Sequence, residues 1–430
     1  MSASADPIDA DLQWLLDVLW GDAEGVRISR TPSAAPASAS SYVVVPSVRR
    51  ARAFVPAGRA AARGALRAGA GTRSGRAQRE RALAARLAGS PLGRAAFRDR
   101  FWVVGPDRLN DAIAAAIGEG PVAFAAAVRP PGPFRKPVVQ AVTPDGRVVG
   151  YAKVAWNDVT AANVRAEHDA LRRLLGAVGP VPAAPAPIAL LSHRGFPVLL
   201  TRPMPPRLRR YDPNAPAPQA PVSRAVAALA PPDGAAFDPI GTRLRERLDA
   251  AHVPSLPHLT EALAAILGAM GSHTGDLPAG AWHGDWSPWN LGWVGDRLWA
   301  WDWEYSRDDV PVGLDLPHFA FQQRFIGAHV PVEDALAAAR SASAAALSAL
   351  GYDAASRALV HAVHASEIAL RYLEAEAAGV PANPRFLAGG VSGWYWACLV
   401  LGWLRRPRPT TVPLEQSPPR SDEVPPEVAP

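Results

Sequence analysis

The chain has 430 residues, 49 % of them hydrophobic and 20 % charged. That apolar content can bury a sizeable core, excludes global disorder, and at this length predicts two or three folding units. The net charge of +6 invites a nucleic-acid or membrane reading, but fourteen arginines against Glu80 and Asp99 put +12 into residues 49–100 alone, leaving −6 for the rest. The single cysteine, Cys398, excludes an internal disulfide and any cysteine-based metal cluster.

Residues 1–20 carry acids and no basic n-region, so a secretory signal is not expected. Residues 1–104 read as an Arg-rich N-terminal extension of unassigned role, with a linker-like Ala/Pro/Ser run at 31–41 and β-type segments at 42–45 and 101–104. A helix is expected around 78–87, although glycines interrupt the segment. Its arginines suit a solvated face or an anionic partner; the lack of interleaved aromatics argues against a specific nucleic-acid motif.

Residues 105–203 read as a small lobe. Strands are expected at 122–128, 138–142 and 148–156, the last two joined by the hairpin signal Thr143-Pro144-Asp145-Gly146. Asn157 or Asp158 caps a helix running to Leu175, and strands at 188–191 and 196–201 follow. Residues 205–256 look loosely organised. Helices are expected at 259–270, 331–350, 354–378 and 386–404. The longest apolar stretch, 391–404, is shorter than the roughly 20 residues a membrane span needs. Residues 406–430, Pro-rich and polar, are expected to be disordered. A soluble, cytoplasmic protein is the expectation.

Only two lysines, Lys136 and Lys153, stand among 43 arginines. Lys136, in the polar loop 129–136, reads as compositional drift; Lys153 stands out inside an apolar strand. The Trp-rich insert 281–319 carries the densest chemistry: His283, Gly284, Asp285 and Asn290, then Asp302-Trp303-Glu304. Phosphoryl transfer needs a carboxylate to orient the attacking hydroxyl, two oxygen ligands for Mg²⁺ and a cation on the phosphates. A carboxylate and an amide five residues apart, a second carboxylate after a short hairpin, and a lysine on the small sheet supply that set. Glu167, on the helix after Lys153, is placed to hold it by an ion pair.

HGDWSPWN followed by DWE resembles the aminoglycoside phosphotransferase and choline kinase superfamily, relatives of the protein kinases. The DWEYS stretch with Gly313, Asp315 and His318-Phe319 is especially similar to the choline kinase pattern. The resemblance spans about residues 120–405 and is absent from 1–104. It implies an α+β, bilobal protein-kinase-like fold: a small antiparallel-sheet N-lobe that binds ATP (105–203) and a mostly helical C-lobe with catalytic and metal loops (204–405). It also implies roles. Asp285 would be the catalytic base, Asn290 and Asp302 the Mg²⁺ ligands, Lys153 the phosphate-binding lysine with Glu167 as its partner, and Asp315 the brace of the catalytic loop.

His283 is expected to hold that loop by hydrogen bonds, and Glu304, His318, His361 and His364 to be structural. Seven tryptophans crowd the insert; core packing is their default role, and Trp286 and Trp289 are the two expected near an acceptor. One departure concerns the phosphate roof: the loop RPPGPFRK holds only Gly132, and Arg129, Arg135 or Lys136 would have to reach a triphosphate instead. The expected function is ATP- and Mg²⁺-dependent phosphorylation of a hydroxyl on a small molecule. The alternatives are a catalytically silent nucleotide-binding scaffold, using the Arg-rich segment for a partner, and a kinase acting on proteins. Residues 257–405 hold eight arginines, fifteen acids and no lysine, compatible with a cationic acceptor or a neutral sugar.

Overall fold

The computed structural model describes residues 8–21, 25, 27–29, 39–68, 75–88, 90, 93, 97–177, 180–218, 220–230, 240–251, 253–271, 273–379 and 399–404. Asp9 caps helix α1 (Ala10–Trp20) through its carboxylate, and Leu12, Leu15, Leu16 and Leu19 recur at helical spacing to bury one face. Strands β1 (Arg27–Ser29), β2 (Ser40–Val45) and β3 (Ala53–Pro56), helices α2 (Arg59–Arg67) and α3 (Gly75–Ala88), strand β4 (Arg100–Val104) and helix α4 (Arg108–Ile117) follow. Next come β5 (Ala123–Ala127), β6 (Val138–Val142) and β7 (Val148–Val154), helix α5 (Asp158–Leu175), then β8 (Pro187–His193) and β9 (Phe196–Thr201).

All nine strands form one antiparallel sheet in the order β1-β4-β2-β3-β5-β6-β7-β9-β8. This corrects the sequence reading of residues 1–104 as an extension outside a small sheet. Strand β3 pairs with β5 (Phe54 opposite Ala126), so four N-terminal strands continue the lobe's sheet. Trp20, Tyr42, Phe54 and Phe101 pack with Phe124 in one core, with Tyr42 and Phe101 stacked at 5.0 Å. On the opposite face, Ala61, Ala62, Ala65 and Leu66 of α2 cover Val43, Val55, Ala125 and Val142. Alternation within such short strands carries no information about which distant strand they join, so the sequence could not reveal this pairing.

The α2 backbone lies directly against the β6–β7 turn. A Cβ on Gly64 would stand 1.8 Å from the Gly146 carbonyl oxygen, so only glycine allows that approach. Asn157 caps α5 in a capping box with Thr160, worth about 1 kcal/mol, and thereby fixes the direction in which the helix leaves β7.

The second half contains β10 (Arg209–Arg210), α6 (Ala220–Ala227), α7 (Ile240–Ala250), α8 (Pro257–Met270), β11 (Ala279–Trp282), β12 (Leu291–Val294), β13 (Arg297–Ala300), β14 (Arg307–Pro311), α9 (Asp315–Gln322), α10 (Val332–Ala349) and α11 (Ala354–Ala377). Helices α6 and α7 lie in the stretch expected to be loosely organised; Ile240, Leu244 and Leu248 repeat at four-residue spacing and enter the helical core. Helices α7 to α11 share that core, so an α+β architecture with a sheet lobe and a helical lobe is observed. Residues 399–404 are helical, the remainder of the helix expected at 386–404 lies outside the described residues, and so does 406–430. Among the described residues no helix is long and apolar enough to cross a membrane.

Candidate active site

The site lies where β7 and α5 of the sheet lobe meet the loops around β11–β14. Lys153, on β7, alternates inward with Ala152 and Val154 fully buried on either side. Its ammonium donates to both Glu167 oxygens (2.6 and 2.5 Å) and to Asp302 Oδ1 (2.5 Å), joining residues 149 apart in the chain. Burial alone would lower the Lys153 pKa, but the Asp302 and Glu167 carboxylates outweigh it and raise it, so the amine stays charged. Burial also works against the Asp302 anion, yet the Lys153 ammonium holds that carboxyl down to about 2. For Glu167, burial dominates and pushes its pKa up.

Asp302 ends the turn after β13 with φ +70°, a left-handed conformation rare outside glycine and tolerated best by Asp and Asn. Such a conformation costs of order 1 kcal/mol and persists where the surroundings impose it, typically at a functional site. Oxygens of Glu167, Asp302 and Glu304 all lie within 4.8 Å of one another, and Lys153 and Lys136 offset the charge of this carboxylate cluster.

The second cluster is the loop between β11 and β12. Asn290 Nδ2 donates to Asp285 Oδ2 at 2.7 Å and to the Asp285 carbonyl at 3.0 Å, fixing the carboxylate and leaving the Asn290 side-chain oxygen as the acceptor for other partners. Burial would raise the Asp285 pKa, but the His318 hydrogen bond and charge bring it below the ordinary value, keeping it ionised. His318 Nε2 lies 3.4 Å from Asp285 Oδ1.

Three braces hold this loop. Asp315, at the start of α9, accepts the His283 and Gly284 backbone N–H groups at 2.8 and 3.1 Å, while burial lifts its carboxyl to about 7. His283 Nδ1 accepts from the Asp285 N–H, so Nε2 carries the proton and donates to the Trp301 carbonyl. Burial drops the imidazole to about 4, so His283 is a neutral strut linking the Asp285 loop to the Asp302 turn. Arg371, on α11, donates to the Gly284 carbonyl at 2.7 Å and is itself held by Glu367, which also receives Arg247.

Structure therefore brings Lys153, Glu167 and Asp302 into direct contact, and Asp285 with Asn290, while His283 and Asp315 brace the loop between them. It does not bring Trp286 to an acceptor. That indole is 2 % exposed and packs edge-on against His283 and Trp303, because residue 286 points into the core beneath the loop. Trp289 is half-buried. Sequence reasoning missed Arg371 and Glu367, which lie in an apolar helix far along the chain. Their i, i+4 spacing was a weak visible signal. Lys136, read as compositional drift or as one of three cations placed to reach a triphosphate, has its ammonium paired with Glu304.

No family model matches the chain, and no curated protein does at a significant level. Solved structures similar to it include a choline/ethanolamine kinase family protein from Mesorhizobium loti, 18 % identical over 69 % of this chain and 99 % of that one, TM-score 0.39. A choline kinase from Cryptosporidium parvum is 9 % identical over 68 % of this chain and 96 % of that one, TM-score 0.42. A thermostable mutant of an aminoglycoside phosphotransferase, in ternary complex with ADP and hygromycin B, is 12 % identical over 69 % and 97 %, TM-score 0.41.

Proposed function

We propose that this chain is a phosphotransferase that moves the γ-phosphoryl group of ATP to a hydroxyl of a small molecule, with Mg²⁺. The observation that carries this reading is the convergence of Lys153, Glu167 and Asp302 beside a loop that holds Asp285 and Asn290 rigid. Among the groups phosphoryl transfer requires, the cation, two oxygen ligands and the base are all present. Asp302 and Asn290 would hold Mg²⁺, which when bound offsets the charge on the transferring phosphates. The Lys153 ammonium favours the Asp302 anion, and Asn290 keeps an oxygen uncommitted, so the donor set fits.

Lys153 steadies the phosphates, and Glu167 keeps its ammonium aimed at them. Asp285 accepts a hydrogen bond from the acceptor hydroxyl and orients its oxygen toward phosphorus. As the new P–O bond forms and the bond to ADP breaks, the hydroxyl proton passes to Asp285. Its low pKa makes it an orienting group first and a proton sink late in the step. The acidity of residues 257–405 is compatible with a cationic acceptor, and the proposal names the class as a hydroxylated small molecule, aminoglycoside-, choline- or sugar-like.

ADP release from Mg·ATP, followed over a panel of aminoglycosides, choline and sugars, tests the reading. Asp285→Ala and Asp302→Ala are each expected to abolish acceptor-dependent release without loss of folding. Full activity in either variant overturns the mechanism. The proline-rich roof loop favours one rival, a silent nucleotide-binding scaffold; a Mg·ATP thermal shift with no phosphorylated product from any acceptor would support it.

A further inference from the structure

We propose that Lys136 is a second phosphate-binding cation, carried into the cleft by a rigid proline-rich loop and held on Glu304 until a nucleotide displaces it. The inference deepens the phosphotransferase reading and rests on it. A nucleotide-binding roof ordinarily offers phosphates its backbone N–H groups, often from glycines. The loop 129–137 cannot do this well. Pro130, Pro131, Pro133 and Pro137 have no N–H, and the Arg135 N–H is spent on the Gly132 carbonyl. Recognition from this loop therefore falls to side chains. Arg129 and Arg135 are exposed, and Arg135 folds back onto the Pro130 carbonyl. Lys136 is the buried cation, with its side chain 5 % exposed.

Its placement is fixed from two directions. Asn157, the cap of α5, donates to the Pro133 carbonyl at 2.9 Å, and the Trp156 indole donates to the Arg135 carbonyl at 2.8 Å. The Val154 N–H donates to the Pro137 carbonyl, and Val138 pairs with Lys153 across β6 and β7. The residues that deliver Lys136 are thus immediate neighbours of Lys153 and of the helix that bears Glu167.

The chain's only two lysines consequently meet one carboxylate cluster, Lys153 on Glu167 and Asp302, Lys136 on Glu304. Two like charges crowded into one partly buried cluster repel each other, and a buried ion pair is weak evidence of stabilisation. An anion bridging both ammonium groups removes that conflict. A polyphosphate in the cleft is such an anion, and the Glu304 partner keeps Lys136 in the cleft when it is absent.

The test measures binding of Mg·ATP and of adenosine to the full chain by titration calorimetry, in the parent, Lys136→Met, Lys136→Arg and Glu304→Gln. Lys136→Met is expected to weaken Mg·ATP about tenfold or more, the worth of one charge-assisted hydrogen bond, and to leave adenosine unchanged. Lys136→Arg restores most of the ATP affinity. Glu304→Gln, which frees the lysine from its resting partner, leaves ATP affinity equal to or tighter than the parent's. Equal ATP affinity in Lys136→Met, or weakening of ATP and adenosine alike, overturns the proposal. If Lys136→Met does not fold, the other two variants decide: weakened ATP binding in Glu304→Gln, with no retention in Lys136→Arg, refutes it. A parent that binds neither ligand refutes the phosphotransferase reading itself, a result distinct from all of these.

Discussion

Gly284 sits between the His283 strut and Asp285, the proposed base, and replacing it with alanine probes the geometry that makes the site. Its φ is +85°, and a Cβ there would stand 2.2 Å from the Tyr305 carbonyl oxygen and 2.7 Å from the Tyr305 carbonyl carbon and Cβ. Ordinary contact begins at 3.4 Å, so one of the two backbones must yield by about 1 Å. Alanine in the left-handed region costs about 1 kcal/mol, and forcing the packed backbones apart costs about 1–3 kcal/mol more. The sum, about 2–4 kcal/mol, corresponds to a fall in Tm of roughly 4–16 °C. The two backbones carry Asp285 on one side and the Asp302–Glu304 turn on the other, so under the proposed mechanism their separation misplaces the base against the transferred phosphate. A misplacement of about 1 Å is worth on the order of 100-fold in turnover. Thermal unfolding followed by circular dichroism gives the first quantity, and acceptor-dependent ADP release gives the second. Gly295→Ala is the control: φ is +63° and nothing lies within 4 Å of the added Cβ, so only the conformational cost of about 1 kcal/mol is expected. A Tm for Gly284→Ala no lower than that of Gly295→Ala would refute the reasoning.

Two further outcomes follow from the braces. Asp315→Asn retains one acceptor but sets an N–H₂ group against a backbone N–H, at residue 283 or 284; losing that bond and stranding the donor is expected to cost about 2–4 kcal/mol, read as a lower Tm with reduced ADP release. In the Arg247–Glu367–Arg371 network, burial opposes the Glu367 anion, but Arg371 and Arg247 outweigh it and hold the carboxyl at about 2, below its ordinary 4.5. Because the folded value is depressed, this stabilisation is fully present above about pH 4.5 and is lost as pH falls toward 2. It amounts to roughly 3 kcal/mol. Glu367→Gln should therefore flatten the acid limb of a stability–pH curve between those limits; an unchanged acid limb would show that the network carries no such linkage.

Much of the site was legible before any coordinates. The five-residue step from Asp285 to Asn290, the aspartate after the hairpin and the strand lysine followed by a helix glutamate are all local spacings, and the residues they select do converge. One helix start was legible for the same reason: Asn157 caps through its own side chain, a contact that spans three residues. Trp286 was misplaced because an aromatic in a loop has the same sequence signature whether it faces the cleft or, as here, the core.

The sequence by itself determined the alternation of strands and helices, the concentration of basic charge in one segment and the identity of the chemical groups in the 283–290 loop. Each depends on residues a few positions apart, where periodicity and capping act. Tertiary structure alone decided that residues 1–104 supply four strands and, through Trp20, Tyr42, Phe54 and Phe101, most of an aromatic core to the sheet lobe, that Arg371 reaches back 87 residues to hold the Asp285 loop, and that Lys136 meets Glu304. Those contacts close long loops, and the choice of distant partner is made by packing and by the cost of burying an unpaired charge, neither of which leaves a mark in local spacing.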